Sequence, residues 1–147
     1  MLCNGKMFSY LFVPSAQRKR VVIIMKTRRM NNNVLEICDE DSNVILAIAE
    51  ELVDGKLKVI LSGEIKNEVA HEFEDEVMAA LSVCPNLIID FEKVTYIASF
   101  ALKSLLSVQQ MIDEIDNSSM VLIHVSKEVM SIFKESGFSE ILMIENA

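Results

Sequence analysis

Val44, Leu46 and Ile48 alternate with other residues, as do Leu57, Val59 and Leu61, and Asp54-Gly55 separates the two runs. A period of two sends successive side chains to opposite faces of a strand. Asp-Gly between two such runs predicts a hairpin, because a type I′ turn needs positive φ at both central positions. Ser62-Gly63-Glu64 closes the second strand. From about residue 67 to 83 the spacing changes: Val69, Phe73, Val77 and Leu81 recur every fourth residue beside Ala70 and Ala80, with Glu68, Glu72, Glu74, Asp75 and Glu76 elsewhere. That is one apolar stripe on an acidic helix, and Pro85 ends it by disfavouring helical geometry in the residue before it. Leu87-Ile88-Ile89, bounded by Asn86 and Asp90, predicts a short strand covered on both faces.

The pattern then repeats. Leu102, Leu105, Leu106, Val108, Ile112 and Ile115 mark a second helix that ends near residues 116–119, and residues 120–123 read as a second buried strand. Ser126 is placed to cap a third helix with Val129, Ile132 and Phe133 inward, and Gly137 to end it in left-handed geometry. Residues 141–144 form the last short strand. The order β-β-α-β-α-β-α-β predicts an α/β fold: a mixed sheet with an N-terminal hairpin, parallel pairing through right-handed crossovers, and helices packed on it.

Composition limits the class of molecule. With 147 residues, 51% hydrophobic and 24% charged, 4 Gly, 2 Pro and no Trp, the chain has the balance of one globular domain. The formal charge of -8 hides an asymmetry: residues 1–29 hold seven of the fourteen basic residues and no acidic one, whereas residues 30–147 hold seven basic against twenty-two acidic, a net of -15. An acidic body repels nucleic-acid phosphates and anionic lipid, whose binding depends on Lys and Arg contacts. Its partners are expected to carry basic or apolar patches. Cys3, Cys38 and Cys84 are an odd number at wide spacing without a Cys-x-x-Cys pair, which indicates neither a zinc site nor a disulfide framework and fits a reducing, cytoplasmic setting. The longest apolar runs near the start, residues 7–13 and 21–25, fall well short of the roughly 18–20 residues of a membrane helix.

The domain boundary falls after Asn31-Asn32-Asn33, giving a basic extension over 1–33 and the α/β domain over 34–147. The extension has three readings: a marginal signal peptide, a basic regulatory arm, or an artefact of start-site choice with Met25 or Met30 beginning the natural chain. The third is the expectation.

Leu61-Ser62-Gly63-Glu64-Ile65, then Ile88-Ile89-Asp90-Phe91 with Val94-Thr95-Tyr96-Ile97, then Ser136-Gly137-Phe138, in this order and spacing, resemble the STAS family of anti-sigma factor antagonists and sulfate-transporter tails, over about residues 46–145. The resemblance implies a partner-binding loop at Tyr96-Ile97-Ala98-Ser99-Phe100-Ala101-Leu102-Lys103, where phosphorylation-switched relatives carry Phe-Ile-Asp-Ser-Ser-Gly-Leu-Gly. Ala98 replaces the Asp, Ser99 keeps the first Ser, Phe100 stands at the phosphoacceptor, Ala101 replaces the first Gly and Lys103 the second. The usual acceptor hydroxyl is missing, which argues against the phosphoserine switch.

Phe100 has two readings, an apolar anchor for a partner or a ring folded into the core. Ser99 is expected to cap the helix that follows, with a surrogate phosphoacceptor as the alternative. The resemblance implies binding to an anti-sigma factor with a serine-kinase-like fold; the sequence itself carries no phosphate-loop, dinucleotide or His-Glu-x-x-His motif, so no cofactor, catalytic residue or metal is expected. A STAS subunit of an ABC-type lipid transporter, or a small-ligand-binding STAS domain, is the alternative. Glu68, Glu72, Asp75 and Glu76 read as a solvated helix face rather than a metal site, and His71 and His124 have no partner evident from sequence. No pattern specifies an oligomeric state.

Overall fold

The computed structural model describes residues 34–145 and the backbone of residues 26–29. The readings of the basic extension as a signal peptide, regulatory arm or start-site artefact fall on residues 1–25 and 30–33, outside the described residues. Seven strands and three helices follow in order: β1 (Lys26–Arg29), β2 (Val34–Cys38), β3 (Val44–Val53), β4 (Lys56–Ile65), α1 (Ala70–Val83), β5 (Asn86–Ile97), α2 (Ser99–Asp113), β6 (Ser119–Ile123), α3 (Lys127–Ser136) and β7 (Met143–Glu145). The expected mixed sheet is present, with β1 and β2 added ahead of the hairpin. Because β1 lies in the basic segment, the sheet draws on residues on both sides of Asn33.

The strands lie side by side in chain order. The first four form an antiparallel meander, and β4 through β7 pair in parallel. Each parallel step is bridged by one helix. Successive crossovers of one hand, all moving the same way across a sheet, place their helices on the same face. The burial pattern follows this: Leu57, Val59, Leu61, Leu87, Ile89, Phe91, Met120 and Leu122 are buried in one core with Phe73 and Val77 of α1, Leu105 and Val108 of α2, and Val129 and Phe133 of α3. Phe91 and Phe133 meet edge to face, with centroids 6.0 Å apart.

Among the described residues the opposite face of the sheet carries no helix, and this corrects the expectation for the short apolar strands. Ile88 in β5 and Val121 in β6 are half-buried, where two-sided coverage was expected, because all three crossovers pass over the other side.

Local signals account for most element ends. Asp54 (φ 53°) and Gly55 (φ 80°) form the predicted left-handed pair between β3 and β4. The Ser126 hydroxyl oxygen accepts a hydrogen bond from Val129 N–H at 3.1 Å, and Gly137 ends α3 at φ 82°. β2 turns into β3 through Asp39, whose carboxylate accepts from the N–H groups of Asp41 and Asn43, both at 2.9 Å. Gly63 has φ 124°, and a side chain there would overlap the Ile45 carbonyl oxygen on β3.

Candidate functional site

The carboxyl ends of β4 and β5 meet beside the start of α2, the usual place for a site on a parallel sheet. The Ala98 N–H donates to the Ile65 carbonyl at 2.9 Å, tying the two strand ends together. Ala98 is the N-cap of α2, in extended conformation, and no side chain within the helix caps it. The expectation that Ser99 caps the helix is therefore corrected: Ser99 is already the first helical residue. The cap comes instead from Asn67, in the short 3-10 turn at Asn67–Val69, whose Oδ1 accepts the Phe100 N–H at 3.0 Å. An alanine and a serine stand where a local cap would be, so a carboxamide from 33 residues away satisfies one of the orphan amides of the first turn.

The five residues of the expected partner-binding loop divide by direction. Ala98 and Ala101 are buried, whereas Ser99, Phe100 and Lys103 are exposed. Of the two readings of Phe100, the core one fails: the residue is 55% exposed. Lys103 Nζ sits 5.5 Å from its centroid, within cation–π range. Phe100 and Lys103 form one wall of a groove of about 290 Å³ between α1 and α2, and Asn67, His71 and Glu74 also line it. The buried Ser104 hydroxyl fixes the groove's width, lying 3.2 Å from Glu74 Oε1, 3.3 Å from the Ala70 carbonyl and 3.1 Å from the Phe100 carbonyl. The result is an exposed ring on a first turn tied down by Asn67, with a cation over the ring.

A second polar cluster lies on the helix-free face. Asp90 is 5% exposed and follows the apolar Leu87-Ile88-Ile89 run of β5. Its Oδ1 accepts the Glu92 N–H at 2.9 Å and lies 3.0 Å from His124 Nδ1, and its Oδ2 lies 3.6 Å from Lys58 Nζ. Burial pushes the Asp90 carboxyl up, but the hydrogen bonds from His124 and the Glu92 amide, with the charges of His124 and Lys58, outweigh it. The carboxyl is held below its ordinary value. His124 has φ 58°, a left-handed conformation uncommon for a residue with a side chain. Asp90 and His124 are 34 residues apart, and only the pairing of β5 with β6 brings them together. The other histidine, His71, stands 3.5 Å from Asp75 on the exposed acidic face of α1.

A family model described as "Mlab, STAS domain" matches residues 48–145. An anti-sigma factor antagonist from Mycobacterium paratuberculosis is 21% identical with a TM-score of 0.61, over 73% of this chain and 88% of that one. Bacillus SpoIIAA, an anti-sigma factor antagonist, in its unphosphorylated form is 17% identical with a TM-score of 0.58, over 68% and 87%. A sulfate transporter family protein from Wolinella succinogenes is 17% identical with a TM-score of 0.53, over 73% and 84%. At these identities the three share a fold with this chain. No curated protein matches its sequence. Among the described residues, no helix is long and apolar enough to cross a membrane.

Proposed function

This chain belongs to the STAS domain family, and from that premise we propose that it is a non-enzymatic, cytoplasmic protein-interaction module of the anti-sigma factor antagonist type. It docks a kinase-like anti-sigma factor through the first turn of α2 and so regulates sigma-factor-dependent transcription without a phosphoserine at the usual position. The observation that carries this reading is the exposed Phe100 ring, at the position where switched relatives keep their acceptor serine. Phosphorylation there would add a charge of about -1.5 to -2 and change the surface offered to a partner. A phenylalanine fixes that surface in one apolar state. A central, desolvated aromatic anchor contributes about 2 kcal/mol or more to an interface, and Asn67 and Ser104 hold the backbone beneath this one.

Affinity capture with wild type, Phe100→Ser and Phe100→Asp tests the reading. The wild type is expected to retain an anti-sigma factor, Phe100→Ser to weaken retention about thirtyfold in keeping with that anchor energy, and Phe100→Asp to abolish it. Equal capture by all three moves the docking surface elsewhere. Phosphate found on Ser99 after incubation with the captured kinase-like partner would overturn the unswitched reading.

One observation favours a second reading, a STAS subunit of an ABC-type lipid transporter: the matching family model is described as "Mlab", and by resemblance such subunits also lack the phosphoserine. Capture of a permease and its ATPase, sensitive to the same Phe100 substitutions, would select it.

A further inference from the structure

We infer that Asp90, Glu92 and His124 form a binding site for a divalent transition-metal ion on the helix-free face of the sheet, with zinc the best match to the donor set. His124 Nδ1, a carboxylate oxygen of Asp90 and one of Glu92 all lie within 4.8 Å of one another. Nδ1 stands 3.0 Å from Asp90 Oδ1 and 3.9 Å from Glu92 Oε1. Zinc bonds of about 2.0–2.2 Å in tetrahedral geometry need donor atoms about 3.3 Å apart; the Nδ1–Asp90 edge is slightly shorter than this, the Nδ1–Glu92 edge longer, and all three donors lie within 4.8 Å. The Glu92 side chain is exposed, so binding an ion requires it to turn toward the other two donors. One imidazole nitrogen and two carboxylate oxygens, with water at the fourth position, suit zinc better than magnesium or calcium, which take oxygen shells.

The surroundings organise Asp90 for this task. Its Oδ2 faces Lys58 at 3.6 Å, and one lone pair of Oδ1 accepts the Glu92 N–H at 2.9 Å. His124 Nδ1 lies 3.0 Å from the same Oδ1, so the carboxylate is held against the imidazole, and an ion seated between them would replace that hydrogen bond once Nδ1 has lost its proton. His124 is held by the turn that leaves β6, in a left-handed conformation that costs about 1–2 kcal/mol for a residue with a Cβ. That cost persists where the surroundings over-determine the residue, as at ligand clamps. The two carboxylates and Lys58 leave the cluster with one net negative charge when His124 is neutral, within a body of net charge -15 that draws cations. Lys58 is the one cation beside the donors among the described residues, and its charge works against a bound dication.

Calorimetric titration of the full-length chain with zinc chloride tests the inference, in a Cys3→Ser background that removes a thiol competing for the ion. Wild type is expected to bind one zinc ion per chain. His124→Gln and Glu92→Gln, both changes at exposed side chains that leave Asp90 in place, are each expected to weaken binding at least about tenfold. His71→Gln is expected to leave binding unchanged. Lys58→Gln is expected to tighten it several-fold, the opposite of what loss of a purely structural ion pair would do. Cobalt(II) in place of zinc is expected to give the visible absorption of a bound, low-coordinate ion, lost with His124→Gln. No zinc binding by the wild type, unchanged affinity in His124→Gln, or loss of binding in His71→Gln would each overturn the inference.

Discussion

Asn67 and Phe100 divide the first turn of α2 between them: one satisfies the backbone, and the other presents a ring to solvent. Removing the cap tests whether that turn is held from outside its own helix. Asn67→Ala is expected to destabilise the fold by about 1 kcal/mol, the ordinary value of an N-cap side chain, as read from urea unfolding. Ser99→Ala, by contrast, is expected to have little effect, because no capping bond of Ser99 exists to lose. Two glycines give a second comparison at the same scale. A Cβ at Gly55 meets nothing within 4 Å, so Gly55→Ala is expected to cost only the left-handed strain of about 1 kcal/mol. At Gly63 the strain combines with overlap against the rigid backbone of β3, and Gly63→Ala is expected to cost about 3 kcal/mol or more. Equal losses at the two sites would contradict the close approach of β3 to β4.

The pairing of β4, β5 and β6 places Lys58, Asp90 and His124 together on the face that the crossovers leave uncovered. The Asp90 carboxyl titrates lower in the folded chain than its ordinary 3.8. The stability it contributes is therefore complete above the unfolded value and is lost as pH falls through the folded one. Thermal unfolding is expected to show the midpoint dropping as pH falls below about 4, with a shallower drop in His124→Gln. An identical acid profile in that variant would count against the pairing. Which elements were legible from sequence follows from the range of the signals that define them. The Asp54-Gly55 hairpin, the α1 stripe and both ends of α3 rest on residues within one turn or one hairpin of each other, and they stand as expected. Strand β2 was missed although Asp39 and Asn43 carry a turn signal just after Val34–Cys38, because its apolar residues do not alternate cleanly. The Asn67 cap and the Asp90–His124 pair span 33 and 34 residues, and no periodicity records contacts of that kind.

Over the described residues, the sheet carries its helices on one face, and two side-chain clusters are set apart on it. One lies at the tip of α2 and the other on the uncovered strands. The resemblance located residues 96–103, and the structure places them at the end of β5 and the start of α2. The outward direction of Phe100 was not legible in the sequence, since it depends on Ala98 and Ala101 taking the inward places. Under the proposed function, the acidic body suits a basic partner surface, opposite charge mainly speeds the encounter, and the apolar ring is expected to hold the complex. The central claim is that partners dock at that ring. Replacing Phe100 with a photo-crosslinking phenylalanine analogue in living cells, with Glu128 on α3 as the control position, tests it most directly. The account predicts a specific crosslink from position 100 to a kinase-like anti-sigma factor and none from position 128. The same protein crosslinked from both positions, or no crosslink from position 100, would contradict it.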